Sequence, residues 1–226
     1  MSDSVPFFSV SGLRGTGRTR LYHQLKSVLP GRFPEQTFAF IGSPFSSLPL
    51  PLMWEDPERD KHATTRLFEC WSRLNHFSIN RLRPQLERGR CVVSDGFGLD
   101  ALLYATACCD CPVENHEAED VHYMLVGVRL KAQKLPPPEY LLVQAPHSKV
   151  EGWILLSNPD LRDLTNELER ERFIRHEEHT IERYFRPENG QNTPFILDAA
   201  AHDMDALCEM AVAHIGRRLE KIAQAA

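Results

Sequence analysis

The sequence predicts an α/β fold, a mainly parallel sheet of five strands flanked by helices. Three observations carry this. Short apolar runs alternate along the chain with segments of helical periodicity. The first run, around Phe7, Phe8 and Val10, passes through a glycine-rich turn straight into a helical pattern. A later run, Cys91–Ser94, ends on Asp95, at the strand terminus where open parallel sheets hold their ligands.

The elements follow in order. Arg20–Leu29 reads as a helix with Leu21, Leu25 and Val28 on one face, stopped by Pro30-Gly31. Thr37–Ile41 is the second strand. Ser43–Asp60, rich in proline and serine, reads as a loop over the surface or a site. Lys61–Glu87 has helical spacing through Leu67, Trp71, Leu74, Leu82 and Leu86, and Pro84 marks a break or a fresh turn. Cys91–Ser94 is the third strand and Leu99–Cys109 the next helix. Asp110–Glu117 reads as an acidic loop, and Ala118–Lys134 as helix. Tyr140–Gln144 is the fourth strand. Ala145–Leu161 is ambiguous, with Trp153–Leu156 apolar enough for a strand or for packing. Leu164–Phe185 is a charged helix, Thr193–Leu197 the fifth strand, and Met204–Ala223 a closing amphipathic helix.

Size and composition bound the function. A chain of 226 residues has room for one sizeable core. Its net charge of −5 argues against binding a nucleic-acid polymer, which favours a basic surface. No apolar run reaches the length of a membrane span, and MSDSVPFFSV lacks the basic start and long apolar core of a signal peptide, so a cytoplasmic protein without membrane partners is expected. Six cysteines in such a compartment need not pair. Cys108, Cys109 and Cys111, with His116 and His122 downstream, bring zinc to mind. Their C-x-C spacing without a second pair suits a structural zinc site poorly, and thiols near a helix end are the plainer reading.

The chemistry concentrates in Gly12-Leu-Arg-Gly15-Thr-Gly17-Arg18-Thr19. This is a relaxed form of G-x-x-x-x-G-K-[ST], with Arg18 at the lysine position. Glycines let backbone N–H groups converge on an anion, and the following helix N-terminus adds favourable partial charge. Gly12, Arg14, Gly15, Thr16, Gly17, Arg18 and Thr19 are therefore the candidate phosphate-binding residues. A plain turn with three glycines is the alternative, and for Thr19 a hydroxyl satisfying backbone at a helix start.

Together these segments resemble a thymidylate kinase, or a close relative among the P-loop nucleoside and nucleotide kinases, nearly end to end. FFSVSGLRGTGRT resembles the family's strand and phosphate loop. LRPQLERGRCVVSDGF (Leu82–Phe97) resembles its R-P-x-L-x-x-G-x-x-V-x-x-D-R-[YFH] run. Pro138–Gln144 resembles the strand before the lid, and PFILDAA (Pro194–Ala200) the closing strand. The resemblance implies a P-loop kinase fold in one domain over residues 1–226, with a lid near 146–175 and often a homodimer. It implies ATP as donor, Mg²⁺ held at Thr19 and Asp95, and catalytic roles for Arg18, Asp95 and a lid arginine. That arginine is Arg172, among Arg162, Arg170, Arg172 and Arg175. Phe68, Arg73 (with a one-residue shift) and Phe97 would meet the acceptor.

Several positions depart from the family. Arg18 replaces lysine, Arg14 an acidic residue, Gly96 an arginine, and Gly42-Ser43-Pro44-Phe45 an acidic-Pro-Gly-Gly run. The leading expectation is ATP-dependent phosphorylation of a nucleoside or nucleoside monophosphate. The alternatives are an impaired kinase fold serving as a nucleotide-binding or interaction module, and a P-loop kinase for a non-nucleotide acceptor.

Overall fold

The computed structural model describes residues 5–45, 63–106, 112–157, 167–189 and 192–225. Five strands form one sheet: β1 (Phe7–Gly12), β2 (Phe38–Ile41), β3 (Cys91–Asp95), β4 (Glu139–Gln144) and β5 (Phe195–Asp198). Their order is β2-β3-β1-β4-β5 and every pairing is parallel, with Val10 beside Asp95 and Leu141. The chain leaves β1 for the edge, returns to β3 at its side, then crosses to β4 on the other side. The crevice at the carboxyl ends of β1, β3 and β4 is thus the switch point where such sheets bind ligands.

Both faces of the sheet are covered, which is why the strands read as near-continuous apolar runs. Side chains alternate between the faces with period two. Phe8, Val10, Cys91, Val93, Leu141 and Val143 pack with helices α1 (Arg18–Arg32) and α8 (Met204–Ala225). Phe7 and Val92 turn to the opposite face, against α2 (Ala63–Phe77) and α4 (Gly98–Thr106); Tyr140 and Leu142 join α4, α6 (His147–Ser157) and α7 (Glu167–Tyr184) there. α5 (Pro112–Gln133) packs on α2 and α4.

Two expectations need correction, and two readings left open are settled. Pro30 does not stop α1, which runs on to Arg32; in the last turn proline forfeits one bond while Phe33 N–H still reaches Leu29 O at 3.0 Å. The acidic loop expected over Asp110–Glu117 is helical from Pro112 onward, because proline at a first helical position starts a helix. Trp153–Leu156 is helical, within α6, where Val150 and Ile154 are buried four residues apart. The break at Pro84 lies upstream of the proline. Residues Ser78–Leu82 form a π-helical turn leading into the short α3 (Arg83–Glu87). Pro84 has no N–H for Asn80 O, and Ser78 Oγ bonds back to Leu74 O at 2.7 Å, so the ladder widens there.

Among the described residues no helix is long and apolar enough to cross a membrane. Cys70, Cys91 and Cys208 are buried free thiols. Cys108, Cys109, Cys111, Arg162 and most of the loop expected at Ser43–Asp60 lie outside the described residues.

Candidate functional site

β1 ends at Gly12, whose backbone takes φ 146°. A Cβ there would lie 2.1 Å from Val143 O, so only glycine lets the strand turn this close to β4. The turn continues through Gly15 (φ 82°) and Gly17 (φ 85°), and α1 begins at Arg18. Thr16, almost fully buried, braces the turn from inside by donating its hydroxyl to Leu13 O at 2.7 Å. Gly17, at the helix cap, offers no side-chain acceptor to the first-turn N–H groups.

Beneath the loop, Thr19 and Asp95 meet. Thr19 Oγ1 donates to Asp95 Oδ2 at 3.2 Å, joining the first turn of α1 to the end of β3. Burial raises the Asp95 carboxyl above the usual range; Arg18, the Thr19 hydrogen bond and His23 pull it back. A hydroxyl and a carboxylate oxygen converging at a helix start suit a hard divalent cation with oxygen ligands, so the residues fit Mg²⁺. Among the described residues no group of three or more His, Cys, Asp or Glu is placed to hold a metal ion. A Mg²⁺ here would draw its remaining ligands from phosphate and water.

The arginines of the loop point inward. Arg18 pairs through Nη1 with Asp100 Oδ1, 82 residues away at the start of α4. The other carboxylate oxygen of Asp100 accepts from Ser11 Oγ at 2.7 Å and from Phe97 N–H at 3.0 Å. Gly96 makes room for it: at φ 82°, a Cβ there would sit 2.8 Å from Asp100 Cγ. Burial lowers the pKa of the Arg18 guanidinium, Asp95 raises it and Arg14 lowers it further.

Arg14 is held by α7. Its Nε lies 3.0 Å from Glu177 Oε1, and its backbone N–H donates to Glu177 Oε2 at 3.1 Å. The guanidinium also sits 5.3 Å and 5.4 Å from the ring centroids of Tyr104 and Phe173. Glu177 is fully buried; burial raises its pKa, and Arg14 is the main opposing influence.

The sequence-predicted residues therefore divide. Gly12, Arg14, Gly15, Thr16, Gly17, Arg18, Thr19 and Asp95 come together at the carboxyl edge of the sheet. Phe68 (54% exposed) and Arg73 lie on the outer surface of α2. Phe97 is buried, its ring edge-on to Phe7 at 5.0 Å, so it offers a ligand no open face. Arg172 is exposed on α7, Arg175 pairs with Glu171 on the same helix, and Arg170 ties α7 to Glu151 of α6 at 3.1 Å. Sequence reasoning missed Ser11, Asp100 and Glu177. Asp100 follows Asp95 by one turn of chain and carried a weak signal; Glu177 sits in a charged run that reads as solvated, and nothing local separates it from its neighbours.

Beside the loop, a cleft of about 420 Å³ opens at the ends of β4 and β5. Leu13, Pro146, Ile181 and Ile196 give it apolar walls, and Gln144 and Glu178 supply polar atoms. No protein-family model matches the chain, and no curated protein is detectably similar to it.

Proposed function

We propose that this chain is a P-loop nucleotide kinase, transferring the γ-phosphoryl group of Mg-ATP to a nucleoside or nucleoside monophosphate. One observation carries the proposal. The Thr19 hydroxyl and the Asp95 carboxylate meet under a loop whose glycines Gly12, Gly15 and Gly17 all take positive φ. Phosphoryl transfer asks a protein chiefly for positioning and charge neutralisation, and this arrangement supplies both. Backbone N–H groups at the start of α1 would meet the phosphates, and Thr19 and Asp95 would hold a cation that neutralises them.

The cleft supports the reading. At about 420 Å³ it falls in the range of small-ligand sites, and its apolar walls suit a planar base. Glu178, Glu182 and Asp198 also line it, which disfavours a polyphosphate there and leaves the phosphates to the loop.

A second reading rests on its own observation. Arg18 faces Asp100 and the Arg14 guanidinium faces Glu177, so two positive groups of the loop are neutralised from within. A loop in this state favours a nucleotide-binding or interaction module without turnover. Mg-ATP titration, followed by coupled ADP release against a panel of nucleosides and monophosphates, separates the two. Binding with acceptor-dependent ADP release is expected; binding without release supports the nucleotide-binding module, and no binding overturns the kinase and leaves only the interaction module.

A further inference from the structure

The cleft at the ends of β4 and β5 is selective in the kind of polar atom it presents. Gln144 and Asp198 are partners across the two strands. Period two puts Gln144 on the face of Leu142, toward α7, and Asp198 on the face of Ile196. α7 closes the other side with Glu178, Ile181 and Glu182, which share one side of the helix at three- and four-residue spacing. Leu13 joins the cleft to the glycine-rich loop. Asp198 Oδ1 accepts the N–H groups of Ala200 and Ala201 at 2.8 and 3.2 Å. Glu178 is half-buried beside the buried Ile181, and its carboxylate has no hydrogen-bond or ion-pair partner among the described residues. Gln144 brings an amide, which donates as well as accepts. Among the described residues no lysine, arginine or histidine lines the cleft.

Carboxylates and one amide sort the nucleobases. Guanine carries N1–H and the N2 amino group side by side, next to the O6 acceptor. One carboxylate receives both N–H groups in parallel, while an amide N–H serves O6. Adenine offers a single amino group beside the N1 lone pair, which a carboxylate repels. Cytosine has the same pattern, and uracil and thymine show one N–H between two carbonyls. Repulsion between the cleft's carboxylates and a nucleotide's phosphates is common to every base, so it cancels when bases are compared.

We propose that this cleft prefers guanine, with Glu178 receiving N1–H and N2–H and Gln144 meeting O6, so that Mg-GTP is bound more tightly than Mg-ATP. This rests on the nucleotide reading for the presence of a nucleotide at the loop, and it does not depend on phosphoryl transfer.

The test titrates Mg-GTP, Mg-ITP and Mg-ATP into the full chain and its Glu178→Gln variant by calorimetry. The unaltered protein is expected to bind Mg-GTP about tenfold more tightly than Mg-ATP, or better. Mg-ITP lacks the N2 amino group and should fall between them. Glu178→Gln turns one acceptor into a donor, and an amide matches adenine N1 and N6 together, so the preference should vanish or reverse. A merely structural effect of the variant would weaken all three nucleotides alike. Equal binding of Mg-GTP and Mg-ATP to the unaltered protein overturns the proposal and leaves the kinase reading standing, as does a Glu178→Gln protein that keeps the preference. The Mg-ITP comparison needs only the unaltered protein and decides even if the variant does not fold. Guanine-selective binding without acceptor-dependent release of GDP upholds the proposal and overturns the kinase reading. Binding of none of the three overturns both, and binding of spermidine instead assigns the acidic cleft to a cationic amine.

Discussion

At the residue scale, the glycine-rich loop after β1 is governed by a competition for Arg18. The guanidinium feels the carboxylates of Asp95, Glu177 and Asp100, and Asp100, nearly fully buried and holding Ser11 and Phe97 N–H as well, has taken it. Asp100→Asn removes the negative charge and sets an amide against the guanidinium, releasing Arg18 toward the loop. Mg-ATP binding should then tighten by about tenfold, one charge-assisted contact's worth, in a calorimetric titration; unchanged or weaker binding means the pair itself shapes the loop. Arg18→Ala strands the Asp100 carboxylate and should cost about 3 kcal/mol in urea unfolding, besides weakening Mg-ATP binding. If the proposed kinase reading holds, Asp95→Asn should leave the fold intact and cut turnover by orders of magnitude, because the carboxylate that would hold Mg²⁺ is lost. Gly12→Ala puts a Cβ 2.1 Å from Val143 O and should destabilise by about 3 kcal/mol or more, visible in the same unfolding experiment.

At the element scale, α7 is the surprise. Its sequence alternates arginine and glutamate at helical spacing, the pattern of a solvated face, and Arg175–Glu171 fits that pattern. One turn on, however, Phe173, Ile174, Glu177 and Thr180 are buried, and Glu177 clamps the loop through Arg14. Its Oε1 and Oε2 both serve the same residue 163 positions away. Glu177→Ala leaves the Arg14 guanidinium buried among Tyr104 and Phe173 without its counter-charge. A loss of about 3–5 kcal/mol is expected in chemical denaturation, with Glu177→Gln losing less because its amide oxygen can still accept. Equal stability of Glu177→Ala and the parent would remove α7 from the loop's support. The same clamp ties α7 to the loop through its Glu177 face, with Arg170–Glu151 joining α7 to α6.

At the scale of the whole molecule, α2, α5 and α7 meet in an aromatic cluster around His122. Its ring lies 5.6 Å from Trp71, 5.9 Å from Tyr123 and 5.7 Å from Tyr184, fully buried, with neither nitrogen hydrogen-bonded among the described residues. Burial pushes its pKa down to about 3. In the unfolded chain histidine takes up a proton near its ordinary value of 6.5, so below that pH the unfolded state binds more protons than the native state. The stability His122 contributes is therefore complete above pH 6.5 and falls away on acidification toward pH 3. The slope is about 1.4 kcal/mol per pH unit well inside that window. His122→Leu should flatten this part of the profile in denaturation curves taken between pH 4 and 7. A variant with the parent's acid sensitivity would place the effect in other groups.

The sequence by itself determined the strands, the order of elements and the position of the glycine-rich turn after β1. These are local properties: period-two burial on a two-sided sheet, glycines at positive φ, and an apolar run ending on Asp95 all leave marks within a few residues. Pro30 and Pro112 show where local marks mislead, because proline can sit in the last turn of a helix or start one, depending on its place in the turn. Only the tertiary structure decided what the site's charges face. Arg18 could reach a ligand, Asp95 or Asp100; Arg14 and Arg66 look alike in the sequence, yet one is paired with Glu177 and the other meets no acceptor among the described residues. Partners 82 and 163 residues apart have no common periodicity to betray them. They are chosen by packing, because burial makes each charge depend on whichever group the fold brings within a few ångströms.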